Sequence, residues 1–416
     1  METHLADWLK GSADGSEAQA ILRKCVHCGF CTATCPTYQI LGDELDGPRG
    51  RIYRIKQVVE GAPPSAATLQ HLDRCLTCRN CESTCPSGVQ YGHLVDIGRK
   101  LVEQRVRRPL GQRLLRRALR EGLTRRWLFD PAMRVGKALR PLMPTRLREK
   151  LPAAADPGPW PQRSHARKVL LLNGCVQPAM MPRIDAATAR VLDALGVQAI
   201  VEPGSGCCGA IRHHLSDPNG ALADARRNID AWWPWLQPGA AGGVEAILIN
   251  ASGCGAMVKD YEHLLRGDPA YAVKAKRVVE LTRDLAEWLP SECAGQSKQL
   301  RERIRSLPAR AVAFHPPCTL QHGQQIRGQV EGFLESLGVQ VQSFADSHLC
   351  CGSAGTYSVL QPDLARNLRE RKLSAMQAGA PQMLLSANIG CISHLQAGTQ
   401  TPVRHWIEWL DDALQG

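Results

Sequence analysis

Two cysteine runs constrain this chain more than any other feature: Cys25-Val-His-Cys28-Gly-Phe-Cys31-Thr-Ala-Thr-Cys35-Pro36 and Cys75-Leu-Thr-Cys78-Arg-Asn-Cys81-Glu-Ser-Thr-Cys85-Pro86. Both follow C-x2-C-x2-C-x3-C-P. Three closely spaced thiolates on a tight turn can occupy three metal corners of one compact centre, while the fourth is directed away from it. The fold must therefore let each run complete the other's site. This reading assigns Cys25, Cys28, Cys31 and Cys85 to one [4Fe–4S] centre, and Cys75, Cys78, Cys81 and Cys35 to a second. Pro36 and Pro86 help end the local turns. Zinc sites and merely structural thiols are the competing readings, and a pattern repeated in full is hard to obtain by chance. His27, between ligands, reads as a neighbour or surface residue.

The spacing is that of two-cluster ferredoxins, so residues 1–98 are expected to form a largely helical domain. Between the runs, Ile52, Ile55 and Val59 have helical spacing in Arg51–Glu60, and Gly61-Ala-Pro-Pro64 stops the helix. Two such centres in one small domain suggest an electron wire. The one Gly-x-Gly-x-x-Gly match, Gly204-Ser-Gly-Cys-Cys-Gly209, is taken up by paired cysteines, and the chain has no Walker loop, so the electron source is expected on another subunit.

The remaining composition narrows the class. The chain has 416 residues, 44% hydrophobic and 22% charged, enough for two or three domains with their own cores. Seventeen cysteines could serve disulfides or soft-metal ligation. Disulfides suit oxidising compartments and small domains without cores, which this chain does not resemble. Met1–Trp8 does not read as a secretory signal, and no window approaches the ~20 apolar residues of a spanning helix. The expectation is a cytoplasmic protein, soluble or peripheral on the inner membrane.

The formal charge of +12 is concentrated in one segment: residues 99–150 hold seventeen Lys or Arg against Glu103, Glu121, Asp130 and Glu149. There Leu101, Val102, Val106, Leu110, Leu114, Leu115 and Leu119 form an apolar stripe interrupted at Pro109, with arginines on the other faces. Only Trp127 and Phe129 could stack on bases, so nucleic acid is not expected. Contact with an anionic membrane or a partner subunit is preferred, beside the plain alternative of a solvated helix face. Leu151–Pro161 is a Pro-rich linker by composition, so residues 99–167 read as a connector.

From residue 168, short apolar runs alternate with helical periodicity. Lys168–Asn173, Val197–Val201 and Ala246–Asn250 read as strands, and Ile184–Leu195 and Ala221–Trp235 as helices. The order recurs with Ala311–Phe314, a helix to Leu337, Val339–Gln342 and Met383–Ser386. Cys175 precedes Cys207 by 32 positions, as Cys318 precedes Cys350, and the offset between the copies is 143. This indicates a tandem duplication, with one α/β cysteine-rich domain at 168–292 and another at 293–416. The fold class is thus α+β and multidomain.

In each copy the cysteines fall just after strands, where α/β sheets gather ligands. The candidate sets are Cys175, Cys207, Cys208 and Cys254, then Cys318, Cys350, Cys351 and Cys391. Gly206 and Gly209 free the backbone so that adjacent thiols can face one centre. An additional iron–sulfur centre, a thiol/disulfide redox site and reduced buried cysteines all remain open readings. Cys293 has no counterpart and reads as a plain thiol. His213, His214, His322 and His348 lie near these thiols, as hydrogen-bonding neighbours rather than ligands.

The two cysteine runs, together with Gly42-Asp-Glu-Leu-Asp-Gly-Pro-Arg-Gly-Arg-Ile-Tyr53, His71–Cys81, Asn228–Trp233, Ala251–Ala256, Cys350-Cys-Gly-Ser-Ala-Gly-Thr-Tyr357 and Val403–Glu408, resemble the iron–sulfur subunit of bacterial glycolate oxidase, or glycolate dehydrogenase. The resemblance covers essentially the whole chain. It implies a complex in which flavin-containing subunits oxidise glycolate to glyoxylate, while this subunit carries electrons towards membrane quinone or another acceptor. No catalytic residue is expected on this chain. The duplicated halves resemble the cysteine-rich domain of heterodisulfide reductases and of anaerobic glycerol-3-phosphate dehydrogenase. In the reductases that domain ends in C-x2-C; here Met257 and His394 stand where the last cysteine would be, leaving four thiolates per half. A related lactate or glycerol-3-phosphate dehydrogenase subunit, and a thiol/disulfide enzyme, are the alternatives.

Overall fold

The computed structural model describes residues 1–144, 151–152, 155–237, 243–295, 297–304 and 306–415. Residues 145–150 of the basic segment and 153–154 of the linker lie outside the described residues. The chain divides into two compact units: Met1–Ala118 with His348–Arg369, and Leu119–Ser347 with Glu370–Gly416.

The first unit is helical, as the spacing predicts. Its core is the contact zone of the helices Ala13–Lys24, Pro48–Val59, Ala66–Asp73 and Tyr91–Arg105, with Leu22, Ile55, Leu72, Leu94 and Val102 fully buried. Local chemistry starts three of these helices. Ser12 Oγ accepts from Gly15 N at 3.0 Å, Pro48 takes the first turn of its helix, and Ser65 with Thr68 forms a capping box. The helix expected over 51–60 runs from Pro48 to Val59. At Gly98 a Cβ atom would stand 2.6 Å from Ile55 Cγ1, so this glycine lets two helices approach closely.

The second unit holds two four-stranded parallel sheets. The first contains β1 (Arg167–Leu171), β2 (Val197–Ile200), β3 (Ile247–Ile249) and β4 (Thr282–Asp284), in the order β2-β1-β3-β4. The second contains β5 (Ala311–His315), β6 (Gln340–Val341), β7 (Met383–Ser386) and β8 (Val403–His405), in the order β6-β5-β7-β8. The same order in both sheets is the structural face of the 143-residue repeat. Six of the eight strands are those read from the sequence. The edge strands β4 and β8 were not expected, because Thr-Arg-Asp and Val-Arg-His carry too little apolar pattern to signal a strand. Within this unit the halves are joined by Ser252 Oγ and Thr319 Oγ1 at 2.8 Å, and by His405 Nε2 donating to Asn250 O at 3.0 Å.

The basic connector forms helices Leu110–Thr124 and Arg126–Leu139. The expected apolar stripe divides in its environment at Pro109. Leu101 and Val102 are buried in the preceding helix, whereas Leu110, Leu114 and Leu115 are exposed. In the next helix Phe129 and Met133 face inward, and Trp127, Leu128, Val135 and Leu139 face solvent. Among the described residues no helix is long and apolar enough to cross a membrane.

Candidate metal centres

In the first unit, the eight cysteines of the two runs surround two hollows. Cys25, Cys28, Cys31 and Cys85 line one of them, together with Cys81. Cys35, Cys75, Cys78 and Cys81 line the other. The fourth cysteine of each run therefore lies in the hollow of the other run.

The local backbone explains how. His27 and Gly29 in the first turn, and Thr77 and Arg79 in the second, all have positive φ, from 53° to 87°. Left-handed residues at alternate positions curl the chain into a concavity of N–H groups, a shape that suits an anionic cluster. Gly29 adopts this conformation at little cost, while Arg79 does so against the preference of a side-chain-bearing residue.

The thiol spacing also bears on which metal fits. A single zinc ion holds its sulfurs about 3.8 Å apart, given Zn–S bonds of ~2.3 Å in a tetrahedron. Among the described residues, no trio drawn from these eight cysteines has its sulfurs all within 4.8 Å of one another. Four thiols per hollow at wider spacing fit a multi-iron centre better than a lone ion. Burial pushes the Cys31 thiol up to about 11 and Cys81 well above its ordinary value, with neighbouring thiols adding to both shifts. Metal binding at these residues must therefore release protons.

Arg51, which lines the second hollow, belongs to a charge network that the spacing did not reveal. Asp46 is fully buried and lies 3.4 Å from Arg51 Nη2, 2.8 Å from Arg74 Nη1 and 3.0 Å from His71 Nδ1. Two guanidinium groups on one carboxylate leave a positive charge over, even without a charge on His71. Arg51 is 1% exposed, and its Nη1 stands 4.0 Å from Cys35 Sγ. A buried excess cation beside thiols is what a negatively charged iron–sulfur cluster would neutralise. Arg51 belongs to the Gly42–Tyr53 run, and its signal was its position: it lies four residues before Ile55 on the buried face of its helix, where arginine needs a partner.

In the first cysteine-rich half the four candidate thiols meet. Cys207 is the side-chain neighbour of both Cys175 and Cys208, and Cys208 of Cys254. The bond to Cys207, followed by burial, pushes the Cys175 thiol well up. Two buried residues not singled out from sequence fix the turn. Asn228 Nδ2 donates to Cys207 O at 2.9 Å and its Oδ1 accepts from Gly206 N at 2.8 Å, while Tyr261 Oη donates to Cys208 O at 2.9 Å. Gly209 has φ 93°, and a Cβ there would meet Ala221 O at 2.9 Å.

In the second half, Cys350 and Cys351 are buried in the first unit, and Cys318 and Cys391 are buried in the second. Gly352 repeats the geometry of Gly209, with φ 91° and Ala365 O 2.5 Å from a virtual Cβ. Cys293 is a buried thiol pushed up to about 11 by desolvation. His27 packs edge-on against Tyr53, His213 against His214, and His348 O accepts from Asn80 Nδ2. His322 is buried.

Residues 21–89 match the 4Fe-4S dicluster domain, and residues 169–259 and 312–396 each match the cysteine-rich domain. The chain is 53% identical over its full length, and over all of the relative, to the glycolate oxidase iron-sulfur subunit of Escherichia coli. It belongs to the family of glycolate oxidase iron-sulfur subunits. A probable member from Bacillus subtilis is 29% identical over 91% of this chain and 89% of its own. Lactate utilization protein A of Geobacillus thermodenitrificans is 25% identical over 59% of this chain and 98% of its own. Membership makes this an iron–sulfur, electron-transferring chain of an oxidoreductase assembly.

Proposed function

We propose that this chain is the electron-transferring subunit of a glycolate-oxidising complex, with one [4Fe–4S] centre on Cys25, Cys28, Cys31 and Cys85 and another on Cys35, Cys75, Cys78 and Cys81. The observation that carries the reading is the sorting of these cysteines around two hollows, each completed by the last cysteine of the other run. When bound, each cluster supplies a one-electron store. Glycolate oxidation to glyoxylate releases two electrons, which two such stores can hold. The chain's own residues bind through thiolates, shield the hollows with Val89 and Tyr91, and balance charge through Arg51.

The division of work follows four segments: the two-cluster domain at 1–98, a connector at 99–167, and cysteine-rich domains at 168–292 and 293–416. The partner is a flavin-containing subunit, a reading supported by the 53% identity to a chain named as a subunit of glycolate oxidase. The acceptor is membrane quinone or another carrier. The exposed apolar stripe and the arginines of Arg126–Leu139 support peripheral contact with an anionic membrane. Cys175, Cys207, Cys208 and Cys254 form a further redox or metal position, supported by their mutual contacts. By the 143-residue repeat, Cys318, Cys350, Cys351 and Cys391 are the corresponding candidates of the second half.

Anaerobic co-purification with the flavoprotein followed by substrate addition tests the proposal. Glycolate is expected to bleach the iron–sulfur absorbance of the complex. Bleaching by lactate and not by glycolate would favour the lactate reading, which the Geobacillus relative supports. Bleaching by neither would overturn both.

A further inference from the structure

We infer that the two centres are built to differ in reduction potential, with the one held by Cys35, Cys75, Cys78 and Cys81 the more positive, and that Arg51 and Tyr91 are the positioning residues that set the difference. This rests on the reading of eight cysteines as two cluster sites, and goes beyond it by assigning an order.

The two hollows have the same cysteine motif but different surroundings. At the second, Tyr91 Oη donates to Cys75 Sγ at 3.7 Å and Thr77 N donates to the same sulfur at 3.4 Å. Arg51 Nη1 stands 4.0 Å from Cys35 Sγ. Arg51 is held there: its Nε donates to His71 O at 2.7 Å and its Nη2 to Thr37 Oγ1 at 3.1 Å, while the Thr37 hydroxyl donates in turn to Asp46 O at 2.8 Å. Arg99 braces the loop from behind, donating to Cys75 O at 2.6 Å and to Thr77 Oγ1 at 2.8 Å.

At the first hollow, no side-chain donor among the described residues lies within hydrogen-bonding distance of the sulfur of Cys25, Cys28, Cys31 or Cys85. Of the nearby cations, Arg49 is paired with Glu44 at 2.6 Å, with both side chains 39% exposed, and the Met1 ammonium donates to backbone carbonyls, Leu22 O at 3.1 Å and Cys25 O at 2.9 Å, rather than to a sulfur. Water and the carboxylate together screen Arg49.

Reduction adds one negative charge to a centre whose sulfurs already carry charge. Donors and cations aimed at those sulfurs stabilise the reduced state more than the oxidised one and raise the potential. Burial acts in the opposite direction, because a drier site disfavours the more negative state. The second hollow is the drier: Cys35, Cys75 and Cys81 are buried, whereas Cys28 of the first is exposed. Yet the same dryness leaves Arg51 unscreened at short range, where its attraction for the sulfurs is greatest. The leftover positive charge around Asp46 decides the sign in favour of the second centre.

The segment carrying Cys350 and Cys351 packs on this side of the same unit. Tyr357 Oη donates to Arg74 O at 3.0 Å, and Asn80 Nδ2 to His348 O at 3.3 Å. The more oxidising centre is thus the one adjoining the paired thiols of the second cysteine-rich half.

The test is a redox titration of the full chain, isolated without oxygen and followed by electron paramagnetic resonance. Two one-electron steps at different potentials are expected. Tyr91→Phe should move the more positive step to lower potential and leave the other unchanged, at unaltered iron content. Arg51→Gln should move the same step further, and Arg51→Lys less. Arg49→Gln should leave that step in place. Should the Arg51 variants fail to fold, Tyr91→Phe decides alone. Coincident steps in the native chain, or a Tyr91→Phe shift in the lower step or in neither, would overturn the inference. Absence of any reducible signal would instead overturn the two-cluster reading beneath it.

Discussion

Cys28 is the exposed member of its set, so its side chain contributes little to the core and its loss isolates the metal role. Cys28→Ser is expected to fold normally but to lower iron from about eight per chain towards about four, measured on anaerobically isolated protein. Asn228 makes a different contribution. It satisfies Gly206 N and Cys207 O inside a turn with no access to water. Asn228→Ala should cost about 1–3 kcal/mol in denaturant unfolding, because it strands buried backbone groups. The grouping of cysteines around the two hollows was legible because three members of each set lie close in sequence and share one turn. Arg51, Tyr91 and Asn228 were not legible as site residues, because their partners lie 16, 16 and 21 residues away and only the packed fold brings them together.

At the scale of elements, Gly98 marks where helices Pro48–Val59 and Tyr91–Arg105 touch. Gly98→Ala should destabilise the chain by about 1–3 kcal/mol through the clash with Ile55, as read by denaturant midpoint. At the end of β8, burial holds the His405 imidazole down at about 3, so that it stays neutral and donates through Nε2 to Asn250 O. Unfolded, it would titrate near 6.5. Its contribution to stability is therefore complete above about pH 6.5 and drains as pH falls towards about 3. Between pH 7 and pH 5 the loss is about 2 kcal/mol, and unfolding of His405→Gln should show a correspondingly shallower pH dependence. The long apolar strands β1, β5 and β7 were legible, as buried parallel strands usually are. β4 and β8 are three residues each, held by pairing to a neighbour, and a lone sequence cannot display pairing.

For the whole molecule, the duplication was legible from the recurring strand–helix order and the cysteine offsets, and the identical strand orders bear it out. The grouping of His348–Arg369 with the two-cluster unit was not, since it depends on packing across more than 250 residues. The exposed Trp127, Leu128, Val135 and Leu139 have a consequence for the assembled protein. The chain should float with vesicles containing phosphatidylglycerol and be released by salt; retention by neither anionic nor neutral vesicles would remove the membrane role. The central claim, two iron–sulfur centres on eight crossed cysteines, is tested most directly by metal analysis with electron paramagnetic resonance on chain prepared without oxygen. About eight irons and a reducible iron–sulfur signal are predicted, with iron beyond eight assigned to the cysteine-rich halves. Zinc in place of iron, with no reducible signal, would contradict it.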